Sequence, residues 1–365
     1  MAAVAAAKVV TPTGVLERAV VDVDDSTGLI VDVAATRGSV PDRLLAAGFV
    51  DIQINGIDDV DVAHASGADW DRLDALVAAQ GTTTWCPTLV TAPLESYSPR
   101  LAEIASARQR PAGRAQIAGA HLEGPFLGGA PGAHRRELIV PPDLDWIAAL
   151  PSVVALTTLG PEATRAVDAV ETFRAKGVVT SLGHSTATLA QATAATDAGA
   201  TLVTHLFNGM GGLHHREPGL LGAALTDDRL TVSLIADLVH VHAAGIRLAF
   251  RAKGPGNVVL VTDAVAWRRG EVGGSALRMT DGAPRLEDGT LAGSALTMDR
   301  AVANVVRHCD VALEQALRAA SADPARLMGL SDRGTIEVGK RADLVALDSD
   351  LRCCGTWVGG AAVRG

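Results

Sequence analysis

The sequence predicts an α/β fold: a (β/α)8 TIM-type barrel with a small β-sandwich domain built from both ends of the chain. Eight short apolar segments alternate with helical segments between residues 48 and 261, the order expected of such a barrel. The flanking segments instead show the alternation and turn residues of antiparallel strands. A doubly wound sheet would alternate similarly, but no glycine-rich dinucleotide motif follows the first strand. The predicted β-sandwich comprises residues 1–47 and 333–365, and the barrel comprises 48–332.

Composition restricts the class of protein. With 365 residues, 48% hydrophobic and 20% charged, the chain can bury a large core. A net charge of -9 argues against a nucleic-acid partner, although a local basic site could still bind a small anion. No apolar run is long enough to span a membrane, and we expect no membrane partner. The N-terminus lacks a secretion signal and the four cysteines lack metal-binding spacing, so we expect a reduced, cytoplasmic protein.

Both ends of the chain have strand patterns. Residues 9–34 alternate apolar and polar side chains, and turns at Pro12, Gly14 and residues 25–28 divide them into short strands. The closing segment, G-T-I-E-V-G-K-R-A-D-L-V-A-L-D, returns to strands and turns. The two ends are therefore predicted to form one β domain, with the barrel inserted between them.

The barrel elements follow in order. The first strand lies in G-F-V-D-I-Q-I-N-G, which begins at Gly48. The other strands are predicted at 82–86, 115–121, 153–159, 178–182, 200–203, 230–235 and 258–261. Helices are predicted at 69–80, 94–108, 162–176, 189–198, 243–253, 300–306 and 313–320. In the first helix, Trp70, Leu73 and Val77 share one side and Gly81 follows the end.

Polar residues follow four of these strands. The third strand leads into H-L-E-G-P, with His121 and Glu123, and the fifth leads into G-H-S, with His184. The sixth leads into T-H-L, with His205, and the eighth into V-T-D-A, with Asp263. Barrel enzymes carry their chemistry at the carboxyl ends of the strands, so we expect these side chains to converge.

Glu123, His184 and His205 form a set of two histidines and one carboxylate. Such a set leaves a coordination position for water, as catalytic zinc sites do. Zn²⁺ is the favoured ion, and Fe²⁺, Co²⁺ and Mn²⁺ are also compatible with these ligands. Asp263 is suited to be the general base that accepts a proton from that water and later returns one to a leaving group.

Gln53 and Asn55 lie at the end of the first strand, where a two-metal hydrolase would need stronger ligands. Amides bind zinc poorly, so the sequence predicts one divalent metal ion per chain. Arg216, His240 and the glycine-rich segment ending at His134 could bind an anion.

Taken together, these motifs resemble the N-acetylglucosamine-6-phosphate deacetylase family of the amidohydrolase superfamily. The resemblance extends over H-L-E-G-P-F, G-A-H, G-H-S-T-A-T, L-V-T-D-A and L-A-G-S-A-L-T-M. T-H-L-F-N-G-M followed by R-E-P-G-L is its most specific part, whereas the closing G-T-I-E-V-G-K-R-A-D-L is common to many amidohydrolases.

The resemblance implies roles for individual residues. It places one metal on Glu123, His184 and His205, makes Asp263 the acid–base group, and gives His134 a catalytic role. Arg216 would bind the sugar phosphate, in its own subunit or across the interface of a homodimer. The substrate contacts would be Gln53, Ala133, His134, Asn208, Gly209, Asp237, His240, Leu291, Ala292 and Gly293.

The implied activity is metal-dependent conversion of N-acetylglucosamine 6-phosphate, a small phosphorylated amino sugar, to glucosamine 6-phosphate and acetate. Alternatives are an N-acetylgalactosamine-6-phosphate deacetylase, a cyclic-amide hydrolase, and a non-catalytic sugar-phosphate sensor. Departures from the family pattern at Gly209, Leu238 and Val239, and in the A-V-A-W-R-R-G loop, bear on sugar preference more than on reaction type.

Overall fold

The chain begins with an antiparallel meander. The computed structural model describes residues 2–364, and its first strands are β1 (Ala2–Thr11), β2 (Gly14–Val23), β3 (Ile30–Ala35) and β4 (Leu44–Ala47). β2 pairs antiparallel with β1 and β3, whereas β4 runs parallel to β1. Ala19, Val21 and Val23 alternate with more exposed residues along β2, so one face of this sheet packs on a core.

Eight parallel strands form the barrel that follows. The strands of this region are β5 (Phe49–Ile54), β6 (Gly56–Ile57), β7 (Val60–Asp61), β8 (Thr82–Val90), β9 (Gln116–Ile117), β10 (Ala120–Glu123), β11 (Val154–Leu159), β12 (Val179–Leu182), β13 (Leu202–Val203), β14 (Thr231–Ile235) and β15 (Val258–Val261). β5, β8 and β10 to β15 are hydrogen-bonded in that order. A bridge between Ile54 and Ala264, and a 3.0 Å hydrogen bond from Asp263 N to Gln53 O, join the first strand to the last. The predicted (β/α)8 barrel is confirmed.

Helices connect the barrel strands. They are α1 (Asp69–Ala78), α2 (Leu94–Arg108), α3 (Leu144–Ala149), α4 (Ala166–Ala175), α5 (Leu189–Ala198), α6 (Gly219–Thr226), α7 (Ala243–Lys253), α8 (Met298–His308), α9 (Leu313–Ala320) and α10 (Ala322–Leu327). A capping box between Thr188 and Gln191 begins α5, and Gly199 ends it with a positive φ. No helix of residues 2–364 is long and apolar enough to cross a membrane.

The sequence did not predict α3, α6 or the six-residue α10. α3 has only six residues, too few for a helical period to be visible. α6 reads G-L-L-G-A-A-L-T and has no polar face, so it lacks the amphipathic pattern of a surface helix. The predicted strand at 115–121 is also divided, into β9 and β10, and it continues to Glu123.

Two hairpins lie between the last barrel strand and α8. They are formed by β16 (Glu271–Val272) with β17 (Ser275–Ala276), and by β18 (Arg278–Thr280) with β19 (Ala283–Arg285). Val265, Leu277 and Ala292 form a small separate core beneath them. This segment contributes residues to the mouth of the barrel.

The C-terminal strands complete the N-terminal sheet. They are β20 (Leu344–Leu347), β21 (Cys353–Val358) and β22 (Ala361–Arg364), and the sheet order is β22-β21-β20-β4-β1-β2-β3. β20 pairs antiparallel with β4, the strand that leads directly into the barrel. Arg333 joins the two domains, since its Nη1 donates to Thr84 Oγ1 at 2.9 Å and to Gln116 Oε1 at 2.7 Å. The prediction that both chain ends build one small β domain is therefore confirmed.

Candidate active site

Four side chains lie at the carboxyl ends of barrel strands. Glu123 is the last residue of β10, whereas His184, His205 and Asp263 come two residues after β12, β13 and β15. The last three have left-handed backbones, with φ of +49°, +29° and +50°. Such a conformation costs a residue with a Cβ roughly 1–2 kcal/mol, so the surrounding contacts must hold it. The convergence predicted for strand ends is present in the structure.

Glu123, His184 and His205 meet at one point. Glu123 Oε1 lies 3.1 Å from His184 Nε2 and 3.0 Å from His205 Nε2, and the two nitrogens are 3.0 Å apart. His184 Nδ1 donates to Ala130 O at 3.2 Å, so in the neutral ring Nε2 carries a lone pair. When the rings carry hydrogen on Nε2, they instead donate to Glu123, and these two hydrogen bonds hold its pKa well below the usual range although burial opposes its ionisation.

The donor set of this group fits a metal ion. Three electron-rich atoms lie about 3 Å from one another, and a single shared proton cannot satisfy all of them. A cation coordinated at roughly 2.0–2.2 Å by imidazole nitrogen and carboxylate oxygen would satisfy them together. All three side chains are buried, which makes an uncompensated cluster of this kind costly. This buried glutamate–histidine–histidine group could therefore bind a metal.

His134 stands beside this group but presents a proton donor to it. The ligand atoms of Glu123, His134 and His184 lie within 4.8 Å of one another. His134 Nδ1 faces Thr91 twice, since the Thr91 backbone N–H donates to it at 3.4 Å and Thr91 Oγ1 lies 2.9 Å from it. When Nδ1 accepts both contacts, the hydrogen of the neutral ring is on Nε2. Burial, and then the charge of His184, lower the pKa of His134 to about 3 and keep the ring neutral. His134 Nε2, 3.8 Å from Glu123 Oε2, is suited to donate to an oxygen of a bound ligand.

Two amides point their donors at the carboxylates. Gln53 Nε2 donates to Glu123 Oε1 at 3.0 Å and to Asp263 Oδ1 at 3.1 Å, and Asn55 Nδ2 donates to Asp263 Oδ1 at 2.7 Å. Amide N–H groups therefore occupy the region between the two carboxylates where a second metal would need lone pairs. Asn55 Oδ1 is buried and has no hydrogen-bond partner among the described residues.

Asp263 has an environment that disfavours its charged form. Burial and the negative charge of Glu123 raise its pKa to about 7, against the opposing effects of His205, His240 and the Asn55 hydrogen bond. A carboxyl group that titrates near neutral pH can both accept and donate a proton there. Asp263 therefore has the properties of an acid–base group.

The four side chains open onto a cavity of about 220 Å³ at the mouth of the barrel. Most of the residues predicted as ligands, acid–base groups or substrate contacts line it, namely Glu123, Ala133, His134, His184, His205, Asn208, Gly209, His240, Asp263, Leu291, Ala292 and Gly293. Gly209 packs directly on His184, where a Cβ would lie 2.8 Å from Nδ1. A side chain at position 209 would therefore displace the histidine.

Three predicted substrate contacts do not line this cavity. Gln53 is 2% exposed and lies beneath it, bonded to the carboxylates. Asp237 instead holds His240, with 2.7 Å between Asp237 Oδ2 and His240 Nδ1. Arg216 is exposed on the loop before α6, and its Nη1 lies 2.8 Å from His215 Nε2. Within one chain, Arg216 does not reach the site.

Sequence reasoning missed several lining residues, including Thr91 and Arg135. Neither belongs to a motif with a ligand or catalytic spacing, so the sequence contained no signal for them. His121, two residues before Glu123, lies inside the barrel and does not line the cavity. Its ring nitrogens lie 3.2 Å from Thr88 Oγ1 and 2.9 Å from Thr158 Oγ1, and burial lowers its pKa to about 4. Its neighbours are the hydroxyl groups of Thr88 and Thr158.

The sequence of this chain also matches a known protein family. The amidohydrolase family profile matches residues 44–363. The chain belongs to the amidohydrolase family. Its resemblance to that superfamily, first noted from short motifs, is thus confirmed over nearly the whole chain. Cys86, Cys309 and Cys354 of this amidohydrolase are free thiols.

Named relatives are similar over nearly their full length. N-acetylgalactosamine-6-phosphate deacetylase of Escherichia coli O157:H7 is 38% identical over 347 residues, covering 91% of this chain and 92% of the relative. N-acetylglucosamine-6-phosphate deacetylase of Bos taurus is 39% identical over 347 residues, covering 88% and 83%. The solved structure of a substituted Mycobacterium smegmatis N-acetyl-D-glucosamine-6-phosphate deacetylase, in complex with N-acetyl-D-glucosamine-6-phosphate, has a TM-score of 0.92 and 32% identity, covering 100% and 99%.

Proposed function

We propose that this amidohydrolase removes the acetyl group from N-acetylglucosamine 6-phosphate, giving glucosamine 6-phosphate and acetate. The observation that carries the proposal is the convergence of Glu123, His184, His205 and Asp263 on one cavity. Relatives named for this activity support it, and so does the similar structure that holds this sugar phosphate.

The proposed cofactor is one divalent metal ion per chain, held by Glu123, His184 and His205. Zn²⁺ is favoured by two imidazoles and one carboxylate, while Fe²⁺, Co²⁺ and Mn²⁺ are compatible. When bound, the ion would supply Lewis acidity that polarises the acetyl carbonyl and lowers the pKa of a water molecule. The amide donors of Gln53 and Asn55, aimed at Glu123 and Asp263, support a single ion.

Two residues of the chain move or hold protons. The Asp263 carboxylate accepts a proton from the attacking water and then donates it to the departing amine nitrogen, which cannot leave as an anion. His134 Nε2–H donates to the carbonyl oxygen, where negative charge develops. Gln53 and Asn55 orient Asp263 through its Oδ1.

The sugar phosphate would bind on the side of the cavity formed by Asn208, Gly209 and His240. Asp237 holds the His240 ring at the wall of the cavity, with 2.7 Å between Asp237 Oδ2 and His240 Nδ1. Arg216 is exposed and outside the cavity of its own chain, so we propose that it completes the phosphate site of a neighbouring subunit in a homodimer. The free thiols of Cys86, Cys309 and Cys354 support a location in the reducing cytoplasm.

A second candidate is N-acetylgalactosamine-6-phosphate deacetylation. The relative of that name favours it, because the match with this chain covers 92% of that relative's length. The two substrates differ only in the configuration of one hydroxyl group, so the metal-binding and acid–base groups would serve both. A cyclic-amide hydrolase would have no use for His240 and Arg216, and a non-catalytic sensor would have no use for Asp263.

One assay separates these functions. Acetate release would be measured from N-acetylglucosamine 6-phosphate, N-acetylgalactosamine 6-phosphate and their unphosphorylated forms, with and without chelator. We expect chelator-sensitive release from the glucosamine phosphate, at the highest kcat/KM of the four. Faster turnover of the galactosamine phosphate would favour the second candidate, and no release from any of them would contradict both.

A further inference from the structure

A second cavity of about 340 Å³ lies beside the catalytic cavity. We call it the side chamber. Its walls come from the end of β8, the start of α2, the β6–β7 hairpin and the β16–β17 hairpin. The residues that line both cavities are Asn55, Val90, Thr91, Arg135, Val272 and Gly273. These six residues form the shared wall, the boundary between the two cavities. A group of a ligand that extends beyond them would leave the catalytic cavity and enter the side chamber.

The side chamber contains two arginines and one carboxylate. The guanidinium of Arg100 makes no ion pair or hydrogen bond with another described residue, and the side chain is only partly exposed. Arg135 pairs with Glu137 at 2.7 Å, but both side chains are largely exposed, which makes the pair weak. The carboxylate is Asp61, which is buried and already accepts a 2.7 Å hydrogen bond from Ala63 N and contacts the His64 ring.

This positive charge contrasts with the chain as a whole, whose net charge is -9. A guanidinium without a partner beside a cavity is suited to bind a carboxylate or phosphate through two parallel hydrogen bonds. A second unsatisfied group lies on the shared wall. Asn55 is 7% exposed, and its Oδ1 has no hydrogen-bond partner among the described residues. Its amide oxygen could accept a hydroxyl or amide hydrogen from a ligand at the entrance to the side chamber.

The position of the side chamber in the barrel defines which part of a substrate could reach it. The strand order is β5-β8-β10-β11-β12-β13-β14-β15, so β8 lies across the barrel from β13. Asn208 and Gly209 follow β13 and His240 follows β14, and these residues form the proposed phosphate side. A group that reaches Arg100 therefore leaves the sugar on the side opposite its phosphate.

We propose that the side chamber is a subsite for an anionic substituent of the sugar, with Arg100 as its principal ligand. The substrate class would then include N-acetylhexosamine 6-phosphates that carry a second acidic group, such as a carboxyalkyl ether on a ring hydroxyl. This inference rests on the proposed deacetylase function and extends it from a simple sugar phosphate to a doubly anionic sugar.

The test compares a charged and an uncharged substituent of nearly equal size. N-acetylglucosamine 6-phosphate would be assayed beside its 3-O- and 4-O-carboxyethyl ethers and the methyl esters of those ethers. In the wild type we expect kcat/KM for one of the acids to exceed that for its ester by at least about tenfold, the lower range for a hydrogen bond to a charged group. Arg100→Gln should reduce this ratio to near one.

Arg108→Gln is the matched control. Arg108 is the exposed last residue of the same helix and lines neither the catalytic cavity nor the side chamber, so its loss should leave the acid-to-ester ratio unchanged. A ratio near one in the wild type, a ratio that Arg100→Gln leaves intact, or the failure of both acids to react or inhibit would each overturn the subsite. Failure to release acetate from the unsubstituted sugar phosphate would instead contradict the proposed function itself.

Discussion

The carboxylate of Asp51 accepts a hydrogen bond from the hydroxyl of Thr262, with 2.6 Å between Oδ2 and Oγ1. This pair lies between the first and last strands of the barrel, which the Ile54–Ala264 β-bridge also links. Asp51 also accepts a hydrogen bond from the backbone N–H of Gln53 at 3.2 Å. It therefore contacts Gln53 and also Thr262, the residue before Asp263, and Gln53 and Asp263 are themselves hydrogen-bonded. Burial raises the pKa of Asp51 to about 7, despite these hydrogen bonds.

The titration of Asp51 predicts how stability depends on pH. Between pH 4 and 7 the folded chain holds a proton that the unfolded chain, with its Asp51 pKa of 3.8, releases. Raising the pH across this window therefore destabilises the folded state. We expect the melting temperature of the wild type, followed by circular dichroism, to fall more between pH 5 and pH 8 than that of Asp51→Asn. The exposed Asp145→Asn should behave as the wild type. Equal pH dependence of the wild type and Asp51→Asn would contradict this assignment.

Replacement of Asp263, the proposed acid–base group, should separate catalysis from binding. Asp263→Asn keeps the side-chain shape and can still accept the Asn55 hydrogen bond, but it cannot take a proton. We expect kcat to fall at least about a hundredfold, while metal content stays at the wild-type level. Activity of the wild type should rise with pH as Asp263 loses its proton, and this acidic limb should be absent from the variant. A variant with wild-type kcat, or one that loses its metal, would show that Asp263 has another role.

The orientation of Gln53 predicts the metal content. Because its Nε2 donates to both Glu123 and Asp263, a second ion between these carboxylates would meet N–H hydrogens instead of lone pairs. After mild dialysis, elemental analysis should find close to one metal equivalent per chain, and removal of that equivalent by chelator should abolish turnover. Two tightly held equivalents, both required for activity, would refute the prediction.

Arg216 is expected to contact the phosphate of a sugar that is bound in the neighbouring subunit. Arg216→Ala is expected to raise KM for the phosphorylated sugar much more than for the unphosphorylated one, because only the former loses a charge-assisted contact. Co-expression of Arg216→Ala with Asp263→Asn distinguishes the two geometries. A mixed dimer has one intact site if Arg216 acts across the interface, and none if it acts within its own chain. We therefore expect co-expression to restore activity well above that of either variant alone.

The sequence predicted the features that depend on local order along the chain. Strand and helix alternation indicated the barrel, and the residues following each strand indicated Glu123, His184, His205 and Asp263. The sequence did not predict contacts between residues that are far apart along the chain. Asp51 and Thr262 are 211 residues apart, and nothing near either residue indicates the other. The proton position on His134 depends on Thr91, which belongs to no motif. The distance of Arg216 from the cavity follows from the path of an exposed loop, which no periodic pattern describes.

The pairing of β20 with β4 has a consequence for biosynthesis. β4 enters the barrel directly, yet its antiparallel partner, β20, is synthesised only after all the barrel strands. Until then, one edge of β4 lacks its hydrogen-bonding partner, and an unpaired strand edge invites association with other chains. The nascent protein must therefore carry an open strand edge through most of its translation, so we expect its yield in cells to depend on chaperones that shield such edges.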